Sequence, residues 1–219
     1  MRRTRLLVPL LAAVAAASGL QAQAQRPWPH AAVAGHPYDE AQPPSAPQEL
    51  WVVVEIPQGS AIKYEVDKTT GRVYVDRFQS MPVHAPANYG SIPSTLAADG
   101  DPLDAVVFAR APLHPGVFVK VRPIGLMKTM DGTLVDDKVL AVPVSAVDPT
   151  YDGITEASAL PTLELDRVAA YFRVYKQLPG GQEGKLIEVS GAAAARDAVA
   201  ESTARYRSAR PSPSAPTSP

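Results

Sequence analysis

Cysteine is absent from all 219 residues of the chain. Its absence excludes disulfide bonds, zinc–thiolate sites and catalysis by a thiol. Histidine is scarce: it occurs only at positions 30, 36, 84 and 114, without the spacing of a histidine metal site such as H-E-x-x-H. A metal or catalytic site in this chain would therefore depend on acidic, basic and hydroxyl side chains.

An excess of charge of one sign is also lacking, because 21 basic residues stand against 22 acidic ones. Aromatic residues make up only 6% of the chain. A near-neutral chain with few aromatics is a poor candidate for general nucleic-acid binding. The hydrophobic content of 46% is enough for a sizeable core, and the length suits one domain with appended ends.

The first residues have the pattern of a secretory signal peptide, which we predict over residues 1–24. Arginines within the first five residues precede an apolar run over 6–20, and residues 22–24 offer an A-x-A cleavage site. The apolar run is short for a membrane-spanning helix, which needs about 20 residues. A retained membrane anchor is the alternative. We expect an exported protein, periplasmic or secreted, with no stable membrane span after cleavage.

Composition divides the remainder into three parts. The Pro-rich segment 25–48 predicts an extended linker, and the Ser/Pro-rich tail 208–219 predicts disorder. Folded material is expected at 49–207. Strands are predicted at Leu50–Ile56, Ile62–Asp67, Arg72–Phe78, 104–109, 117–127, 133–142 and 185–190.

Helices are expected towards the end of the chain. An apolar stripe at helical spacing follows Pro161 and continues to Tyr175, and the Ala-rich segment 191–207 predicts a peripheral helix. Many short strands followed by helices indicate an α+β domain built on a small β-barrel.

The stretch D-G-D-P-L-D, residues 99–104, carries three carboxylates in a tight, stiff turn before a predicted strand. Crowded carboxylates raise the cost of ionising one another, and a divalent cation bound by their oxygens would remove that cost. The alternative is a solvated acidic turn. An EF-hand loop is not supported, because Asp104 stands where that loop needs glycine.

Charges also interrupt the predicted strand 133–142. In strict alternation Asp136 and Lys138 share a face with leucine and valine side chains. A buried charge costs several kcal/mol unless it is paired, so the stretch indicates either a structural salt bridge or a site that holds metal ions and an anion.

Other polar side chains in apolar surroundings have ordinary explanations when taken singly. Glu55 could be a hydrogen-bonded core carboxylate. Arg77 shares its strand face with Val73 and Val75, which is awkward for a solvent-exposed residue and acceptable for one in a cavity. Tyr175 could be a core tyrosine and Lys176 a partner of the helix dipole. Together, acids beside bases without histidine or cysteine are typical of a metal–phosphate site.

Two shorter stretches complete the set. Lys63 and Glu65 share one face of a predicted strand, and exposure on an edge explains them equally well. Residues 88–90, Asn-Tyr-Gly, predict a turn with a packed aromatic side chain.

The motifs recur in the order found in soluble family I inorganic pyrophosphatases, which residues 50–207 resemble. Asp99–Ala105 matches the family signature D-[SGDN]-D-[PE]-[LIVMF]-D-[LIVMGAC]. Around it stand Val54-Glu55-Ile56-Pro57, Ile62-Lys63-Tyr64-Glu65, Val75-Asp76-Arg77, Pro86-Ala87-Asn88-Tyr89-Gly90, Arg122-Pro123-Ile124-Gly125, Asp131 with Asp136 and Lys138, and Tyr175-Lys176.

The resemblance implies a closed OB-like β-barrel of about five strands with two or more C-terminal helices. It further implies hydrolysis of pyrophosphate with several Mg²⁺ ions, for which Mn²⁺ or Zn²⁺ could substitute. Metal ligands are implied at Asp99, Asp104, Asp131, Asp136 and Glu65. Contacts to phosphoryl oxygens are implied at Lys63, Arg77, Tyr89, Lys138, Tyr175 and Lys176. Asp101 is implied as the general base, with Tyr89 near the attacking water and Glu55 behind the metal ligands.

The chain departs from the family pattern at three positions. Ala85 stands where the family usually has tyrosine, so we expect a slower or differently selective enzyme. Ala170 and Val174 stand where bacterial members often carry histidines at subunit contacts. Formation of a hexamer by that route is therefore doubtful, and a homo-oligomer stays an open possibility. A broader phosphoanhydride hydrolase and a degenerate metal- or anion-binding module are the alternative functions.

Overall fold

The computed structural model describes residues 35–210. The predicted signal peptide over 1–24 lies outside these residues, as do 25–34 and 211–219. No helix within the described range is long and apolar enough to cross a membrane.

Strands dominate the described part of the chain. They are β1 Leu50–Ile56, β2 Ile62–Val66, β3 Val73–Phe78, β4 Asn88–Ser91, β5 Asp104–Val107, β6 Phe118–Asp131, β7 Leu134–Val135, β8 Lys138–Pro143 and β9 Gly184–Gly191. The helices are α1 Thr162–Val174 and α2 Ala192–Ala209, and short 3₁₀ turns cover Pro37–Asp39, Pro149–Tyr151 and Ala157–Ala159.

Five of the strands close into a ring. β1 pairs with β4, β4 with β5, β5 with β8, β8 with β6, and β6 returns to β1. The prediction of a five-stranded barrel with C-terminal helices is thereby confirmed. β9 pairs with the far half of β6, and β2 and β3 form a separate hairpin.

Side-chain alternation on the barrel strands builds two buried clusters. Ala105 and Val107 of β5 pack in a cluster covered by α2, whereas Val106 between them packs in a second cluster covered by α1. Successive strand residues point to opposite faces, so one apolar run supplies both clusters. The continuous hydrophobicity of β5 and β8 follows from burial on both sides.

Two predicted elements differ from the structure. Residues 88–90 begin strand β4 instead of forming a turn, because they pair with both β1 and β5. The stretch 133–142 is divided between β7 and β8, and the Asp136 amide at the break donates to the Thr129 carbonyl at 2.9 Å. Simple alternation through 136 and 137 therefore does not hold.

The N-terminal segment also differs from its prediction. An extended linker over 25–48 is wrong for residues 35–48, which pack on the barrel. Tyr38 lies in a buried cluster with Val53, and Gln42 hydrogen-bonds both backbone groups of Trp51. Burial of an aromatic ring and satisfaction of an edge backbone hold the segment there. At the other end, α2 continues to Ala209, just past the predicted start of the tail.

Gly90 lies where β4 pairs with β1, and the backbone of β1 leaves no room for a side chain there. A Cβ at this position would stand 2.0 Å from the Val53 carbonyl oxygen and 2.9 Å from the Val54 Cα. We expect Gly90→Ala to lower the free energy of unfolding by about 3 kcal/mol, the upper end for overpacking, since backbone atoms must move. Denaturant unfolding measures the loss.

Gly153→Ala is the matched control for this prediction. A Cβ on Gly153 would meet nothing within 4 Å, and its φ is not positive. The control is expected to change stability by less than about 1 kcal/mol. Equal stabilities for the two variants would contradict the close packing described at Gly90.

Candidate active site

A cavity of about 500 Å³ opens between the β2–β3 hairpin, the 99–104 turn and the end of α1. All but two of the predicted site residues line it. They are Glu55, Lys63, Glu65, Tyr89, Asp99, Asp101, Asp104, Asp131, Asp136, Tyr175 and Lys176. Residues separated by more than half of the described chain thus meet at one surface.

The 99–104 turn presents its carboxylates through backbone geometry. Gly100 has a φ of +91°, a conformation that glycine adopts without strain. The Asp101 amide donates to Asp99 Oδ1 at 3.0 Å, and the Asp101 carbonyl accepts from the Ala97 amide at 2.7 Å. Burial raises the pKa of Asp99 above its ordinary value, and the hydrogen bond from the Asp101 amide opposes that rise.

Lys138 is buried below the cavity floor, with 1% of its side chain exposed. Its Nζ lies 2.6 Å from Asp136 Oδ1, 3.4 Å from Asp104 Oδ2 and 4.9 Å from the centre of the Phe172 ring. Parallel pairing of β5 with β8 places Asp104 opposite Lys138. The structural salt bridge considered for Asp136 and Lys138 is therefore present.

Burial and pairing act in opposite directions on this group. Burial raises the pKa of Asp104 to about 6, although Lys138 and the Tyr89 hydroxyl, which donates to Asp104, lower it. Burial lowers the pKa of Lys138, but Asp104 and Asp136 outweigh burial and raise it above its ordinary value. The lysine consequently stays charged.

Lysines also pair with three other carboxylates of the cavity. Glu65 pairs with Lys63, Asp101 with Lys68, and Asp131 with Lys176. Between residues 35 and 210, no three histidine, aspartate or glutamate side chains stand together as a ready-made metal cluster. Opposite charges attract, so these three carboxylates lie against lysines and not against one another.

Glu55 is the most deeply placed carboxylate of the cavity, with 4% exposed. Its Oε1 accepts hydrogen bonds from the Tyr38 hydroxyl and from Ser91 Oγ, the latter at 3.0 Å. Burial raises the pKa of Glu55 to about 7, and these two hydrogen bonds oppose the rise. The carboxyl group of Glu55 therefore changes its protonation state near neutral pH.

A pH dependence of stability follows from Glu55. In the interval from about pH 4.5 to about pH 7 the unfolded chain has released the proton that the folded chain keeps, so Glu55 lowers stability as pH rises. We expect Glu55→Gln to remove this dependence. The difference in melting temperature between Glu55→Gln and the native chain should shift in favour of the variant as pH rises from about 5 to about 7.

Thermal unfolding of metal-free protein across this interval measures the effect. The exposed Glu201 of α2 supplies the matched control, and Glu201→Gln should run parallel to the native chain. A constant difference between Glu55→Gln and the native chain at all pH values would contradict the raised pKa.

Arg77 and Lys138 are the two predicted site residues that do not line the cavity. Arg77 lies on the partly exposed hairpin, where its Nη1 is 2.6 Å from Asp76 Oδ2. Tyr175 and Lys176 follow α1, and the Tyr175 ring stacks on Tyr171 with centroids 5.0 Å apart. Burial raises the pKa of Tyr175 above its usual range, so its hydroxyl remains a hydrogen-bond donor.

The arrangement combines hard oxygen donors with ammonium groups around one cavity. Carboxylates suit hard divalent cations, and lysines and tyrosines suit phosphoryl oxygens. The profile of the family described as inorganic pyrophosphatase matches residues 52–207. The chain belongs to the inorganic pyrophosphatase family. Membership confirms the predicted enzyme class, an inorganic diphosphatase.

Relatives of this family resemble the chain over most of their own length. The inorganic pyrophosphatase of Aquifex pyrophilus is 44% identical over 155 residues, covering 71% of this chain and 86% of that protein. Inorganic pyrophosphatase 2 of Pseudomonas syringae is 44% identical over 161 residues, covering 73% and 89%. The crystal structure of the Thermus thermophilus inorganic pyrophosphatase aligns with a TM-score of 0.75 at 35% identity, covering 78% of this chain and 99% of that one.

The departures noted from the family pattern have clear places in the fold. Ala85 is buried and lines the cavity, so the methyl group stands where a larger side chain would occupy cavity space. Ala170 is exposed on α1 and Val174 is half-buried at its end. Neither helix position carries a titratable group.

Among the residues that contact the site, sequence reasoning missed Lys68 and Tyr38. Lys68 occupies the turn of the β2–β3 hairpin, and Tyr38 belongs to the segment predicted as a linker. A lysine in a hairpin turn carries no distinguishing local signal. The sequence signal for Tyr38 is an aromatic residue within a Pro-rich polar segment. The composition of that segment predicts a linker and thereby obscures the signal.

Proposed function

We propose that the protein hydrolyses inorganic pyrophosphate to two phosphates with bound divalent cations, Mg²⁺ foremost. Asp101 would accept the proton of the attacking water. The observation that carries the proposal is the single cavity in which carboxylates from the 99–104 turn, β6 and the β7–β8 connection meet lysines from β2 and the end of α1. Pyrophosphate is a polyanion, so a site that combines lysines with bound cations favours its binding.

The donor set fits hard cations. Carboxylate oxygens without histidine or cysteine are the ligands that Mg²⁺ and Mn²⁺ prefer, while Zn²⁺ is the less favoured alternative. The residues that would hold the ions are Asp99, Asp104, Asp131, Asp136 and Glu65. Bound cations lower the pKa of water and screen the negative charge of phosphate.

The side chains of the cavity would orient the substrate and move one proton. Lys63, Lys176 and Tyr175 donate to phosphoryl oxygens, which binds the anion and stabilises the leaving phosphate. Buried Lys138 offsets the carboxylate charge from below. Asp101, with 44% of its side chain exposed, would be accessible to a water once Lys68 turned from it to the substrate.

Phosphate release tests the proposal. The purified full-length chain is given pyrophosphate, inorganic triphosphate or a nucleoside triphosphate with Mg²⁺, and with EDTA as the control. We expect release confined to pyrophosphate and abolished by EDTA. Binding of pyrophosphate without release would contradict hydrolysis and favour a binding module.

Release from all three substrates would favour a broader phosphoanhydride hydrolase. The open space at Ala85 supports this second candidate, because a longer polyphosphate needs more of the cavity. Ala85→Tyr is the diagnostic variant. If the native chain acts on all three substrates, this substitution should restrict phosphate release to pyrophosphate. An unchanged rate and selectivity would show that the missing hydroxyl is irrelevant.

We further propose that the enzyme is exported and acts on extracytoplasmic pyrophosphate, supplying phosphate. The support is the pattern of residues 1–24. Fractionation of cells that express the full-length chain tests it, with cleavage near residue 24 read by N-terminal sequencing. Activity retained in the cytoplasm on an uncleaved chain would contradict export. Sedimentation of the mature protein decides whether it forms a homo-oligomer.

A further inference from the structure

The segment 35–48 precedes the family match and yet reaches the active-site cavity. Its 3₁₀ turn Pro37–Asp39 places Tyr38 in the cavity wall, where 4% of the residue is exposed. The Tyr38 ring packs in a buried cluster with Val53, Val66 and Tyr206. A residue from outside the matched region is thus part of the site.

Backbone contacts fix Tyr38 on the side of the hairpin. Its carbonyl accepts from the Ser94 amide at 2.8 Å, and its amide donates to His36 Nδ1 at 3.1 Å. His36 Nε2 lies 3.0 Å from the Asp67 carbonyl at the end of β2. The segment therefore joins the loop after β4 to the hairpin that flanks the cavity.

Contacts with α2 fix the other side of the turn. Asp39 Oδ1 accepts from the Tyr206 hydroxyl at 2.6 Å and lies 3.1 Å from Arg210 Nη2. These contacts hold the turn without touching the cavity. They supply a comparison for any effect that the Tyr38 hydroxyl has of its own.

The Tyr38 hydroxyl donates to Glu55 Oε1, the same oxygen that accepts from Ser91. Glu55 Oε2 accepts no hydrogen bond from any residue of the described chain. The last torsion of a glutamate side chain is broad, so one donor leaves the carboxylate free to rotate. Two donors on one oxygen hold its plane and keep Oε2 available to the cavity.

We propose that Tyr38 is a positioning residue for pyrophosphate hydrolysis, whose hydroxyl fixes the carboxylate of Glu55 in the cavity wall. The segment before the family-matched domain then has a task in the reaction beyond its packing. This inference rests on the proposed function, and it assigns to this chain a contact that the matched region 52–207 does not contain.

Tyr38→Phe in the full-length chain is the test, because it removes the hydroxyl and keeps the ring. We expect kcat for pyrophosphate to fall about tenfold with KM changed less than about twofold, since the orientation of a group beside the reacting atoms is lost. Rates are expressed per folded molecule, with the folded fraction taken from circular dichroism at the assay temperature.

A double-mutant cycle separates positioning from packing. If Tyr38 acts through Glu55, adding Tyr38→Phe to Glu55→Gln should lower kcat by less than about twofold further. Tyr206→Phe is the matched control, because it removes the hydroxyl that holds the same turn at Asp39. Its kcat should equal that of the native chain, whatever its melting temperature.

A second pair of variants keeps the test decisive if Tyr38→Phe is poorly folded. Tyr38→Gln and Tyr38→Leu are similar in size, and only the glutamine can donate a hydrogen bond, so the glutamine variant should be faster per folded molecule. Unchanged kcat in Tyr38→Phe, additive losses in the cycle, or equal rates for Gln and Leu would overturn the inference. If the native chain releases no phosphate from pyrophosphate, the proposed function has failed and not this contact alone.

Discussion

Asp101→Asn is expected to lower kcat for pyrophosphate by about 10²–10⁴, the range for loss of a general base. The amide keeps the size of the side chain but cannot take a proton from water. The turn should persist, because its hydrogen bonds use the Asp101 backbone and the Asp99 carboxylate. We expect KM to change little, since the proton transfer occurs only in the transition state.

Steady-state phosphate release at saturating Mg²⁺ measures this loss. Asp166→Asn on the exposed surface of α1 removes the same charge away from the cavity and should leave kcat unaltered. An Asp101→Asn enzyme within about threefold of the native rate would show that another group accepts the proton.

Lys138→Met should destabilise the fold more than any other single change of charge at the site. The methionine leaves Asp104 and Asp136 without their shared cation beneath the cavity. Removing one partner of a buried ion pair costs roughly 3–5 kcal/mol. We expect that loss in the free energy of unfolding, measured by urea titration in EDTA at neutral pH.

The deficit of Lys138→Met should shrink as pH falls. Burial already raises the pKa of Asp104 to about 6, and loss of Lys138 raises it further. When pH falls below this raised pKa, Asp104 takes up a proton in the folded variant and no longer carries an unpaired charge. The variant therefore recovers stability. A deficit that is constant or grows towards low pH would contradict the electrostatic account.

Lys120→Met is the matched control for this substitution. Lys120 pairs with Glu49, but 31% of its side chain is exposed. Loss of a surface pair of this kind costs about 1 kcal/mol or less. If the two methionine variants are equally stable, burial does not determine how much Lys138 contributes to the free energy of unfolding.

Local chemistry made part of the site predictable. Residues 99–104 form a turn because Gly100 can adopt a positive φ and Pro102 fixes its own φ, and a strand follows because the next residues are apolar. The chain-wide resemblance then placed distant residues together, and the cavity does bring Glu65, Asp131 and Lys176 to one surface. Their roles in binding and catalysis stay predictions.

Other features depend on tertiary contacts that local patterns do not encode. Residues 88–90 are extended only because β1 and β5 lie on either side of them. Tyr38 lies in a Pro-rich segment and is nevertheless buried, because its hydroxyl donates to Glu55 and its ring packs against α2. Arg77, expected at the substrate, pairs with its neighbour Asp76 on the hairpin.

Direct binding of Mn²⁺ to the metal-free protein, followed by electron paramagnetic resonance, tests the central claim that the cavity carboxylates together hold divalent cations. The native chain should bind more than one ion, and Asp104→Asn, which alters the carboxylate at the centre of the group, should lose at least one of them. Asp166→Asn should bind as the native chain does. Absence of binding by the native chain, or equal binding by Asp104→Asn, would contradict the account.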